Sequence, residues 1–235
     1  MPLLSIVLPC YNPSPNWEER VLQGYNSIVQ RIQITPEVIV VNDGSSSEIP
    51  AEKIDFLKSH IPHFIFTGYK ENKGKGAALR YGISMAKSEL IIFTDIDFPY
   101  TSESFANIWK QLNEHNDIVI GIKDKDYYKH VPPARKHISK LLRKFSRLFL
   151  NIPVTDTQCG LKGFNQQGKK IFLSTTIDRY LCDLEFVYKS FKTKPALRIS
   201  TQEIKLKEGV KFSRMNSRIL IPEFYNFVKI LISQK

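Results

Sequence analysis

The sequence predicts an α/β fold with a mostly parallel central sheet and helices on both faces. Three observations support this. The first half alternates short apolar runs of β-formers with helical stretches, which is the pattern of consecutive βαβ units. Each strand-like run stops abruptly at a polar cluster, so the clusters should gather along one edge of the sheet. Finally, 235 residues with 42% hydrophobic and 24% charged content suit one large domain with a substantial core.

Taken in order, Leu3 to Leu8 forms a buried strand that ends at Pro9-Cys-Tyr-Asn12. A proline-rich loop (Pro13 to Trp17) leads into a helix from Glu18 to about Arg31. Glu37 to Val41 is the second strand and ends at Asn42-Asp43-Gly-Ser-Ser-Ser47. Phe64 to Thr67 is the third. Asn72-Lys-Gly-Lys-Gly76 then opens a helix over about Ala77 to Ala86, and Asp117 to Gly121 is a later strand. Leu197 to Leu206 alternates like a strand, and Ile219 to Ile232 is an apolar and aromatic stretch interrupted by Pro222 and Glu223.

The stretch Glu89 to Tyr100 carries the sharpest chemical signal. Leu90 to Phe93 reads as a strand buried on both faces, and Asp95 and Asp97 follow where it leaves the sheet. Pro99 is expected to prevent further ladder pairing. Two carboxylates separated by one residue suit a hard cation, Mg2+ or Mn2+, that keeps phosphate oxygens as its other partners. A solvated acidic turn is the plainer alternative for an Asp-x-Asp.

Other clusters admit two readings each. Asp43 could accept a base N–H, or form an Asx turn or helix cap. Tyr11 could stack on a nucleobase or be an ordinary half-buried aromatic. Lys75, flanked by Gly74 and Gly76 at a helix N-terminus, suits phosphate, or else lies in a flexible basic loop. Asp183 could cap its helix or act as a general base.

Net charge is +11 with a pI near 9.5, which favours an anionic partner. The basic residues lack the interleaved aromatic platform of a single-strand binder, so nucleic acid is not expected. Ala134 to Leu150 places Ile138, Leu141, Leu142, Phe145, Leu148 and Phe149 at helical spacing among Arg135, Lys136, Lys140, Arg143, Lys144 and Arg147. Such a helix suits an anionic membrane surface, or packs on the sheet with a solvated basic face. Cys10, Cys159 and Cys182 show neither CxxC spacing nor an even count, so a reducing compartment is expected. The N-terminus lacks a basic n-region, and no apolar run reaches about 18 residues.

Seven segments, in this order, resemble the inverting family-2 glycosyltransferases of the GT-A fold, most closely the polyprenyl-phosphate (dolichyl-phosphate) glucosyl- and mannosyltransferases. They are Ser5 to Asn12, Val40 to Ser46, Asn72 to Leu79, Thr94 to Asp97, Asp117 to Gly121, Asp156-Thr-Gln-Cys-Gly-Leu-Lys162 and Cys182-Asp-Leu-Glu185. The resemblance implies one domain over 1–235. Residues 1–122 would form the nucleotide-binding half and 123–218 the acceptor half, with 219–235 as a membrane-surface segment.

By the same resemblance, Pro9, Tyr11, Asn12 and Asp43 serve the nucleobase and ribose, with Glu18 as a further candidate, and Lys75 lies near the nucleotide. Asp95 and Asp97 bind the diphosphate and metal. Lys123 and Arg135 receive the acceptor phosphate or donor diphosphate, and Ser213 and Arg214 close on the diphosphate. Asp183 orients the acceptor or assists proton removal.

Pro13, Pro99 and Lys123 depart from the family pattern: an acidic residue, a Gln ligand in some relatives, and Arg are commoner at these positions. Many relatives also carry C-terminal membrane spans that this chain lacks.

The implied reaction is metal-dependent transfer of a hexose from a nucleotide diphosphate sugar to a polyprenyl phosphate, with inversion. UDP-glucose is favoured as donor and GDP-mannose is the alternative. The expected place is the cytoplasmic face of a membrane, held peripherally. Rival readings are a soluble family-2 transferase acting on a sugar hydroxyl, a non-catalytic anion-binding protein, and a nucleotidyltransferase. No glycine-rich first loop supports the last of these.

Overall fold

The computed structural model describes residues 2–124, 127, 133–154, 156–210 and 217–232, without the side chains of 133–135, 137, 138 and 217–221. Strands are β1 (Leu4–Cys10), β2 (Glu37–Asp43), β3 (Phe64–Tyr69), β4 (Leu90–Phe93), β5 (Ile118–Lys123), β6 (Lys162–Phe164) and β7 (Ile199–Ile204). Helices are α1 (Trp17–Ile32), α2 (Ala51–His60), α3 (Lys75–Met85), α4 (Ser102–Asn113), α5 (Pro133–Leu150), α6 (Gln166–Leu173), α7 (Cys182–Lys192) and α8 (Ser217–Ile232).

The strands form one sheet in the order β3-β2-β1-β4-β6-β5-β7. All pairings are parallel except those of β6, which runs antiparallel to β4 and β5. The carboxyl ends of β1, β2 and β4 therefore open on one edge. Two apolar layers flank the sheet. One is built around α3, α6 and α7, the other around α1 and α4. Residues alternate between them along each strand: Val7, Ile39 and Ile91 face the first layer, and Ile6, Val38 and Ile92 the second.

Several boundaries differ from the sequence expectation. β1 and β2 each run two residues further, with Pro9 opposite Val41 and Cys10 opposite Asn42. Pro99 does not end pairing. Its carbonyl accepts the Lys207 N–H at 2.8 Å, and Tyr100 forms an antiparallel bridge to Leu206. A proline lacks only the donor, so its acceptor remains available. The C-terminal apolar stretch forms α8, which continues through Pro222.

α5 settles between its two expected roles. Leu142, Ser146 and Leu150, spaced by four, turn inward, while Leu141, Phe145, Leu148 and Phe149 remain exposed. Phe145 stacks on Phe149 at 5.7 Å and meets the buried Phe227 of α8 edge-on at 6.3 Å. With the exposed Phe224 and Tyr225, these residues give α5 and α8 a run of uncovered apolar side chains. Lys140, Lys144 and Arg147 are exposed beside them.

Candidate active site

The β4 strand delivers Thr94 to Asp97 to the open edge, and the turn that follows is held from behind. Phe98 adopts a left-handed conformation (φ 45°), uncommon for a bulky residue, yet its ring is almost fully buried. The ring lies in a notch at Gly24 of α1, where an added Cβ would stand 2.5 Å from it. Ring burial offsets the backbone strain and fixes where Asp95 and Asp97 point.

Four alternating charges run inward from this turn. Lys75 Nζ donates to Asp95 Oδ1 at 2.7 Å and lies 4.0 Å from Asp183 Oδ2. Asp183 Oδ1 accepts from Lys162 Nζ at 2.6 Å. Lys162 and Asp183 are buried, whereas the Asp95 side chain is 40% exposed. Burial alone pushes the Lys75 ammonium down, but the charges of Asp95 and Asp183 and the bond to Asp95 outweigh it and hold Lys75 well above the ordinary lysine range.

Asp97 points to solvent, yet its carboxyl is pushed up. Partial desolvation is the larger cause and the negative charge of Asp95 the second. Two carboxylates that disfavour each other's charge, one already holding an ammonium, make a donor set suited to a hard cation. The backbone leaves room for this arrangement: a Cβ at Gly160 would stand 2.6 Å from Asp95 Oδ2. Gly160 N–H donates to the buried Tyr100 hydroxyl at 3.0 Å. Among the described residues no group of three or more His, Cys, Asp or Glu side chains could hold a metal. A divalent ion here would therefore complete its shell from the ligand's oxygens, as Mg2+ and Mn2+ do with phosphates.

Asp43, at the end of β2, organises the adjoining loop. Its carboxylate accepts from the Tyr69 hydroxyl (2.7 Å), Asn72 Nδ2 (2.9 Å) and the backbone N–H groups of Lys73 and Gly74 (2.9 Å each). Beside it the Asn42 side chain closes the end of β2, its Oδ1 accepting from the N–H of Ser45, three residues on, at 3.0 Å. Asn12, also left-handed (φ 45°), joins the ends of β1 and β2. Its N–H donates to Ser45 Oγ at 3.0 Å and its Oδ1 accepts from Ser46 N–H at 2.8 Å. Tyr11 is half exposed on the same edge.

The amides at the start of α3 do not face the cleft as expected. Gly76 and Ala77 donate to the Asp178 carbonyl at 2.6 and 3.2 Å. That loop is pinned in turn by Glu185, whose carboxylate accepts from the N–H groups of Thr176 and Ile177, and by Arg80, which bonds the Ile177 carbonyl at 2.9 Å and the Asp178 carboxylate. Glu223 of α8 accepts from Tyr180 and Leu181 N–H at 3.3 and 3.0 Å, so α8 is fastened to the start of α7.

Not every expected residue joins this cluster. Glu18 pairs with Lys53 of α2 through both oxygens at 2.8 Å. Lys123, at the end of β5, is drawn to Asp156 at 3.3 Å and the Gln158 carbonyl at 3.1 Å, with its ammonium over the Tyr127 ring. Arg135 lies in α5, but its side chain is outside the described residues, as are Ser213 and Arg214 entirely. Lys207, three residues after β7, lies where burial pushes its amine down and the Asp97 charge partly restores it. The sequence pattern predicts no role for Lys162, Gly160, Tyr100 or Glu223. A lysine between Leu161 and Gly163 carries no local sign that it will be fully buried.

The sequence signature described as "Glycosyl transferase family 2" matches residues 5–172. A dolichyl-phosphate beta-glucosyltransferase of Trichomonas vaginalis, ALG5A, is 26% identical over 97% of this chain and 73% of its own length. Enzymes with that name from Drosophila melanogaster and Homo sapiens are 28% and 25% identical over 79% of this chain. The chain spans about three-fifths of those two relatives, 61% and 62%.

Among solved structures, mannosyl-3-phosphoglycerate synthase from Rubrobacter xylanophilus shares the fold with a TM-score of 0.70 at 13% identity, over 99% of this chain and 74% of that one. The mannosyltransferase PcManGT from Pyrobaculum calidifontis, solved with GDP-Man and Mn2+, does so with a TM-score of 0.56 at 17% identity, over 88% and 58%.

Proposed function

Because the chain belongs to glycosyl transferase family 2, we propose that it transfers glucose from UDP-glucose to a polyprenyl phosphate with inversion. The observation that carries this reading is the similarity to a dolichyl-phosphate beta-glucosyltransferase across 97% of the chain. The charged edge at Asp95, Asp97 and Lys75 supplies the chemistry that such a transfer requires.

The acceptor monophosphate is an anion near neutral pH, so no strong base is needed. Asp183 fits that economy. Its carboxylate lies between two ammonium groups, Lys162 at 2.6 Å and Lys75 at 4.0 Å, and so serves as their counter-ion. Asp95 and Asp97 would hold a Mg2+ or Mn2+ ion, which when bound supplies positive charge to the leaving diphosphate. Lys75 and Lys207 add positive charge on either side of the same turn. Asp43 and Asn12 shape the pocket for the nucleoside, with Tyr11 exposed to stack on the base and Pro9 stiffening the end of β1. Glu18, paired with Lys53, supports that wall from α1. Lys123, Arg135, Ser213 and Arg214 are assigned to the phosphates of acceptor and donor.

The exposed apolar side chains of α5 and α8, with Lys140, Lys144 and Arg147 beside them, would rest on an anionic membrane surface where the lipid phosphate lies. No helix among the described residues is long and apolar enough to cross a membrane. Peripheral attachment on the cytoplasmic face is part of this proposal.

The test is incubation with Mn2+, a polyprenyl phosphate in vesicles, and labelled UDP-glucose or GDP-mannose. Label passing to the organic phase from UDP-glucose supports the proposal. Label passing only from GDP-mannose reassigns the sugar. Label that stays in water with both donors refutes a lipid-phosphate acceptor.

A further inference from the structure

The alternating charges of the cleft carry a consequence for how a cation enters it. Lys75 donates to Asp95 at 2.7 Å, so an ammonium now occupies one of the two carboxylates assigned to the metal. It sits at the first residue of α3, where Gly76 and Ala77 are bonded to the Asp178 carbonyl. Its backbone is therefore anchored while its side chain spans the gap between Asp95 and Asp183. The second carboxylate is 4.0 Å away, just beyond hydrogen-bond reach, and already holds Lys162 through its other oxygen. Asp183 Oδ2 thus has a free acceptor position facing Lys75 among the contacts described.

We infer that Lys75 is a displaceable counter-ion: it keeps Asp95 neutralised while the cleft is empty, and swings onto Asp183 when a divalent cation takes Asp95. The inference rests on the metal site proposed above and extends it. Asp183 then acts as the receiving position for the ammonium, and Lys162 holds that carboxylate in place. The exchange leaves each carboxylate with a cation before and after, while the arriving ion adds two positive charges to the cleft. It lets a buried lysine give up one partner without being stranded, which would otherwise be costly. It also links the two events of donor binding, because a shifted ammonium remains in the cleft beside the incoming diphosphate.

The test is Mn2+ binding without nucleotide, read from the free-ion electron paramagnetic resonance signal, for wild type, Lys75→Met, Asp183→Asn and the double variant. Removing a unit positive charge that competes for Asp95 should tighten Mn2+ binding by about tenfold in Lys75→Met. Asp183→Asn should weaken binding several-fold, because Lys75 loses its alternative partner, and the double variant should return to the affinity of Lys75→Met. Lys75→Met should fold: Asp183 keeps Lys162, and Asp95 is open enough for water to solvate it. A thermal melt of each variant confirms this.

Binding in Lys75→Met that is unchanged or weaker than wild type overturns the counter-ion role. An Asp183→Asn variant that is folded at the assay temperature and binds like wild type overturns the receiving role. Absence of Mn2+ binding by both wild type and Lys75→Met overturns the metal site itself and the inference with it.

Discussion

Replacing Lys162 tests the innermost part of the charge network. Lys162 is fully buried and its ammonium lies 2.6 Å from Asp183, which is 3% exposed. Lys162→Met leaves a buried carboxylate whose nearest remaining cation is Lys75 at 4.0 Å. Removing one partner of a buried pair costs about 3–5 kcal/mol, and Lys75 should hold the loss near the lower figure. For a chain of this size each kcal/mol moves the melting temperature by roughly 2–4 °C, so a fall of roughly 6–12 °C is expected. Asp183→Asn should produce a similar fall. The double variant, with neither charge left to desolvate, should melt well above the sum of the two losses, with a coupling of about 2 kcal/mol. Differential scanning calorimetry measures all four species. Single variants that lose less than about 2 °C, or losses that simply add, would refute the claim that these two groups neutralise each other.

Further outcomes follow from other contacts. Glu223→Ala should cost about 1–2 kcal/mol in denaturant melts, because the N–H groups of Tyr180 and Leu181 lose their acceptor and α8 loosens from α7. Leu148→Ser with Phe224→Ser should leave the melting temperature nearly unchanged, both side chains being exposed, yet weaken sedimentation with anionic vesicles by about tenfold or more. Burial pushes the thiols of Cys10 and Cys159 up to about 12 and about 11 from an ordinary 9.0. Raised values stabilise the fold fully below pH 9 and lose that contribution as pH rises through 11 to 12, so stability should decline across that window. The same thiols should react with a disulfide reagent at pH 8 only after unfolding.

Much of the architecture could be read from residues because parallel strands buried on both faces announce themselves as unbroken apolar runs: Val38 to Val41 and Leu90 to Phe93 are examples. Short or mixed elements escaped. β6 is three residues containing Gly163, and α2 buries only Leu57, so neither has a clear period. At the site, Asp95, Lys75 and Asp183 were legible as candidates, and the structure brings these three together. Their pairing was not legible, since it depends on the antiparallel β6 placing Lys162 beside α7. The α3 amides illustrate the opposite error. A glycine-flanked helix start suggests a phosphate, yet a distant carbonyl at Asp178 had already satisfied those donors.

The most direct measurement is a crystal of the protein soaked with UDP-glucose and Mn2+, with the metal located by anomalous scattering. The account predicts a manganese peak at the Asp95 and Asp97 carboxylates, shared with the diphosphate, and Lys75 moved off Asp95. A nucleotide bound away from Asp97, with no anomalous peak at that turn, would contradict it.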